Sequence, residues 1–131
     1  MWRAVGDLRR VAEEAVIGLA AGDNLILRES LTRKAADLRD ELGKEGESLV
    51  ERLLIDRVVV GWLSVHYHDA VLALNANAHG PRAEQCRKRL DAANGRFLQS
   101  VKQLAVVRKL LGSTTASRPS PRTRSGNRPG A

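Results

Sequence analysis

His66, His68 and Asp69 are the residues of this chain whose types most readily suggest chemistry, because two imidazoles and a carboxylate are metal-ligand types. On a helix, however, His66 and His68 project about 200° apart and cannot grip one ion. His66 and Asp69 form an i, i+3 pair, yet a site would need further ligands from another helix. No Glu-x-x-His pair occurs, so the carboxylate pattern of di-iron bundles is missing. His66 lies in line with Val59, Trp62, Ala70 and Ala73 and reads as a core histidine hydrogen-bonded to a neighbour. No metal site and no cofactor are expected.

Cys86 is the single thiol. Its neighbours Arg87 and Lys88 are cations of the kind that lower a thiol pKa, but no base is placed beside it. With Ala83 and Ala93 it reads instead as a small residue for close helix packing. Asp56 interrupts an apolar run and needs a cationic partner, with Arg52 and Arg57 nearest; a buried ion pair explains it more simply than acid–base chemistry. The chain has no Gly-rich phosphate loop, serine nucleophile motif or zinc spacing. It is therefore read as non-enzymatic, with no small-molecule substrate inferred.

The charge is divided along the chain. Residues 1–80 carry 10 Lys/Arg against 13 Asp/Glu, whereas residues 81–131 carry 12 against 2, Glu84 and Asp91. Any anionic partner should meet the C-terminal third. There, Arg82, Arg89 and Arg96 recur at heptad spacing, and Lys88, Lys102 and Lys109 form a second row about 100° around the same helix. Such a face can follow phosphates over several turns, releasing condensed counterions. It can equally be the solvated outer face that any helix with one apolar seam must have. Arginine outnumbers lysine 17 to 5, a bias that a GC-rich genome also produces. The terminal Arg118, Arg122, Arg124 and Arg128 extend the basic character in a Pro/Ser/Gly-rich setting, where proline keeps the backbone extended. Aromatic side chains for base stacking are absent there, which argues against single-strand recognition.

These residues must be positioned by helices. Leu8, Val11, Ala12, Ala15, Val16 and Leu19 follow three-four spacing over about residues 2–20 and predict one inward face. Gly22 suits the left-handed position after a helix, and Asp23 is placed to cap the next one. A second helix is expected over about 24–42 with Leu27, Leu31, Ala35, Leu38 and Leu42 inward. Ser48 and Glu51 form a capping-box pattern that opens a third helix, expected over 48–78 until His79-Gly80-Pro81 stops it. Pro81 then opens a fourth, over 81–111, which Gly112 should end.

The two long helices, each about 46 Å at 1.5 Å per residue, should run antiparallel as a coiled-coil-like hairpin. Arg57, Ser64, His68, Asn75 and His79 make one narrow polar stripe on the third helix, with Gly61 on the same side. The rest of that helix is apolar, so it should be central and covered by more than one neighbour. The fourth helix has a single seam of Ala83, Cys86, Leu90, Ala93, Phe97, Val101, Leu104 and Leu111. Residues 112–131 should form a disordered basic tail.

At 131 residues and 43% hydrophobic content the chain is of single-domain size and ordinary globular composition. No apolar run approaches the roughly 18 residues of a membrane span. With one cysteine no internal disulfide is possible, and the expected location is cytoplasmic.

Five stretches resemble a group of short, uncharacterised helical proteins from planctomycete-type bacteria. They are Gly6-Asp7-Leu8, the run from Leu19 to Leu31 with Arg33-Lys34, the run from Leu53 to Leu63 with Tyr67, Arg87 to Asp91 with Arg96-Phe97-Leu98, and Lys102 to Leu111. The likeness spans about residues 2–111. It implies a helical fold and brings no activity, cofactor, ligand or site residue with it. Members of that group commonly carry further sequence ahead of the position of Trp2.

The expectation is an all-α fold in which a long antiparallel hairpin, residues 48–111, carries two shorter helices. The expected role is a structural or interaction protein acting through self-association, as a homo-oligomer, or through a partner helix. The alternative is sequence-nonspecific association with nucleic acid through the fourth helix and the tail. Binding to an anionic membrane surface is a weaker third reading, because the fourth helix needs its apolar seam for the core.

Overall fold

The computed structural model describes the backbone of residues 2–77 and 79–117 and the side chains of residues 8–77 and 79–112. Four helices follow in order: α1 (Trp2–Ala21), α2 (Leu25–Leu42), α3 (Leu49–Leu74) and α4 (Pro81–Ser117). The expected tail arginines, Arg118, Arg122, Arg124 and Arg128, lie outside the described residues.

Local chemistry sets most of the boundaries. Gly22 takes a φ of +56°, which a residue with a Cβ would adopt only under strain, and this turns α1 into α2. The cap of α2 is Asn24 rather than Asp23: its extended backbone lets Oδ1 accept from the Leu27 amide at 3.0 Å. Ser48 and Glu51 form the expected capping box. The helix it opens ends at Leu74, four residues earlier than expected. Asn75 is its C-cap, with φ −108° and ψ 23°, and both its backbone amide and its side-chain amide donate to the Val71 carbonyl, at 3.1 Å and 2.7 Å. At the other end α4 passes straight through Gly112 to Ser117. One glycine costs a helix only about 1 kcal/mol, and the first proline beyond it is Pro119.

As its composition requires, α3 is the central helix, packed by α1, α2 and α4. The core is Ile17 of α1, Ala35 of α2, Ile55, Val58, Val59 and Leu63 of α3, and Leu104 of α4. Leu63 is 1% exposed, and burying a leucine contributes about 1.5–3 kcal/mol. Midway along the hairpin Gly61 lets the helices close up: a Cβ there would sit 3.3 Å from Phe97 Cα.

Three packing expectations are corrected. The buried face of α1 is Glu13, Val16, Ile17 and Ala21, so Leu8, Val11 and Leu19 point to solvent, at 70, 62 and 64% exposure. On α2, Leu27 is exposed while Leu31, Ala35, Leu38 and Leu42 face inward. On α4 the seam takes Ser100 in place of Val101, because the Ser100 hydroxyl donates to the Arg96 carbonyl at 3.0 Å and is satisfied within its own helix.

Two arginine-centred clusters explain the choice. Arg39 of α2 donates to Glu13 of α1 at 2.8 Å and to Asp56 of α3 at 3.2 Å, and Arg9 of α1 lies 3.6 Å from the same Asp56 oxygen. Asp56 therefore pairs across helices and not with its neighbours Arg52 and Arg57. Pairing Glu13 with Arg39 and bringing Arg9 beside Asp56 turns α1 so that Ile17 faces in and the Leu8 stripe faces out. Burial opposes the charge on Arg39, but the two carboxylates outweigh it and its pKa is raised. At the root of the hairpin, Arg108 of α4 donates through Nε to Glu51 at 2.9 Å and through Nη2 to the Leu42 carbonyl.

Glu51 is 2% exposed, and its carboxyl is held below the ordinary value of 4.5, first by the Ser48 amide and then by Arg108. A depressed folded-state value means that the group stabilises the fold above its unfolded pKa and loses that contribution as pH falls through the folded one. Thermal unfolding from about pH 7 down to about pH 3 should therefore show stability draining away on the acid side. Arg108→Met should lower the neutral melting temperature and flatten that acid slope. An unchanged slope in the variant would remove the pair from the account.

Candidate functional site

The exposed stripe of α1 and the surface beside it form one candidate region. Leu8, Val11, Ala12, Ala15 and Leu19 are all exposed and lie on one side of the helix, opposite Ile17. Leu8 and Ala12 also border a groove of about 640 Å³ between α1 and α4. Its floor is the face of α3 bearing Leu53, Val60 and Gly61. Arg57 and Arg96 stand on its rim. Among the described residues no helix covers α3 between α1 and α4.

The second region is the cationic side of α4. Arg82, Arg89 and Arg96 are exposed along one edge of that helix, beside its contact with α3. Lys88, Lys102 and Lys109 are exposed on the side directly away from α3, where Lys88 lies 3.9 Å from Glu84. The other five make no ion pair with a described residue. The edge brings Arg89 and Arg96 near His68 of α3, and the second row remains apart. His68 has its pKa lowered from 6.5 by burial, then by the charges of Arg96 and Arg89.

Two sequence readings change here. His66 is exposed, not a core residue, with its ring 4.2 Å from that of Trp62. Gln99, Ser100 and Gln103, which sequence reasoning left without a role, share one surface cavity with Arg57 and Arg96. The polar stripe on α3, in step with Gly61, was the signal for Arg57. Ser100 carried none. Among the described residues no group of three His, Cys, Asp or Glu side chains comes close enough to hold a metal ion. No described helix is long and apolar enough to cross a membrane.

Comparison with known proteins gives no match to a family model, a curated sequence or a solved structure. The functional reading rests on the surfaces themselves.

The His68 environment gives a direct check on this geometry. Because its folded-state pKa is depressed, protonation of His68 works against the fold as pH drops below 6.5. Removing Arg96, the larger of the two charge effects, should ease that. In an NMR titration of the imidazole, Arg96→Gln should raise the His68 pKa, whereas Lys109→Gln should leave it where it was. Equal titration in both variants would separate His68 from the α4 arginines.

Proposed function

We propose that the protein is a non-enzymatic helical interaction protein that self-associates through the outer face of α1. The observation that carries this is the stripe of exposed Leu8, Val11, Ala12, Ala15 and Leu19, apolar on the side of α1 turned away from its own core. From Leu8 to Leu19 it is about 16 Å long. Large residues stand at its ends and alanines at its middle, so it reads nearly alike in both directions. Two copies crossing antiparallel would set Leu8 against Leu19 of the other and Ala12 against Ala15, the self-complementary pattern of a twofold dimer. The small central residues let the helix axes approach, and the apolar stripe would otherwise stay in water. The one cysteine, with no disulfide to form, is the support for a cytoplasmic setting.

Sedimentation equilibrium should give a dimer for the native chain and a monomer for Leu19→Glu, with unchanged far-ultraviolet circular dichroism because position 19 is 64% exposed. A strictly monomeric native chain would sink the proposal.

Nucleic-acid association through α4 is a second reading, favoured by one observation: Arg82, Arg89, Arg96, Lys102 and Lys109 have no ion-pair partner among the described residues. Unpaired cations are available to displace counterions from a phosphate backbone. Binding to random-sequence duplex DNA should collapse between about 50 and 200 mM salt and weaken by about tenfold or more on joint Arg89→Glu and Arg96→Glu reversal. Truncation after Ser117 measures the share of residues 118–131. No binding at the lower salt would assign the arginines to the solvated surface.

A further inference from the structure

We propose that the edge where α3 meets α4 is an oxyanion site, in which Arg57 of α3 and Arg96 of α4 bracket a phosphate group. The two arginines line one shallow cavity of about 320 Å³ with Gln99, Ser100 and Gln103 of α4. Among the described residues no carboxylate lines it, and neither guanidinium makes an ion pair with a described residue.

That arrangement departs from the rest of the molecule. Where Arg39 and Arg108 cross between helices, each meets a carboxylate, at 2.8 Å and 2.9 Å respectively. Arg57 and Arg96 instead line one cavity from two helices, with no carboxylate among its described lining residues. Like charges facing one cavity repel, and an anion between them turns the repulsion into two attractions. Guanidinium is suited to this because its fork of N–H donors matches the geometry of phosphate oxygens. The glutamine amides add neutral donors from the next turns of α4.

The approach is open as well. Ala92 and Gly95 form the wall on α4, and a Cβ at position 95 would meet nothing within 4 Å, so an anion can come close to the helix. Asp91, the nearest acid of α4 in sequence, projects about 140° around the helix from Arg96. Arg89, one heptad earlier on the same edge, strengthens the field without lining the cavity. No described α1 residue lines this cavity, although Leu8 and Ala12 border the groove on whose rim Arg57 and Arg96 stand.

The chemistry recognised is a phosphoryl group, which either a small polyphosphate or a nucleic-acid backbone can present. Inorganic pyrophosphate and a short random duplex DNA serve as the two probes, titrated calorimetrically into the full chain at low salt. Arg57→Gln and Arg96→Gln are compared with Lys109→Gln, which removes a charge from the far side of α4. Position 57 and position 96 are exposed, and circular dichroism checks that both variants keep their fold.

Pyrophosphate binding that shifts the His68 resonances, and that weakens about tenfold in each arginine variant but not in Lys109→Gln, supports the site with a small phosphate as its ligand. Binding of DNA alone, weakened more by Arg57→Gln than by Lys109→Gln, supports the site with the nucleic-acid backbone as its ligand. If neither probe binds the native chain, or if the arginine variants bind like Lys109→Gln, the proposal is overturned. Neither result bears on sedimentation, so this site and the α1 dimer can fail separately.

Discussion

Glu51 is the point on which the assembly turns. Its position at the third residue of α3 is dictated locally, since Oε1 accepts the Ser48 amide at 3.0 Å and completes the cap. Its second oxygen accepts from Arg108, more than fifty residues later, at 2.9 Å. A carboxylate already committed to a helix start and sunk out of water needs a cation, and the cation fixes where along α3 the far end of α4 must lie. Arg108 then reaches Leu42, so the root of the hairpin, the end of α2 and the link between them are held by one pair of side chains.

A division of labour among the arginines follows. Arg39 and Arg108 are structural, each placed where several helices end up close together and each facing carboxylates. Arg57, Arg89 and Arg96 stand on one edge without them. The net positive charge of the C-terminal third is therefore not spread evenly over α4. Part of it is consumed in the fold, through Arg108, part lies along the margin beside α3, and Lys88, Lys102 and Lys109 face the other way. In the proposed anion site it is the margin beside α3, rather than the basic character of α4 as a whole, that holds the phosphate.

Much of the architecture was legible from local signals. Turn glycines, the capping box and the nearly all-round apolar character of α3 each act over a few residues, and they were enough for the helix order and the central place of α3. Failures came where a distant residue decides. α1 has two apolar faces, and counting hydrophobic residues favours the stripe at Leu8 and Leu19. The buried one is chosen by Glu13 and Arg9, whose partners lie on α2 and α3. Asp56 looked satisfied by its neighbours for the same reason. Of the candidate site, the Arg82, Arg89 and Arg96 row was visible from its spacing. As a site residue Arg57 was visible only as part of a polar stripe, because the register between α3 and α4 sets which residues of α4 share its cavity.

The hairpin also has unequal ends. Near Asn75 most of α3 is exposed, and Leu74 is 86% so, whereas the root is clamped by Glu51 and Arg108, 57 residues apart in sequence. Joining those two first would close a long loop at a large entropic cost, while the short link between α3 and α4 closes cheaply. The implied order of assembly runs like a zip from the bend: early turns of α4 settle on late turns of α3, the close approach at Gly61 and Phe97 forms midway, and the charged root engages last. The Glu51–Arg108 contact is then a latch on a hairpin already formed, and its release would speed unfolding more than it would slow folding.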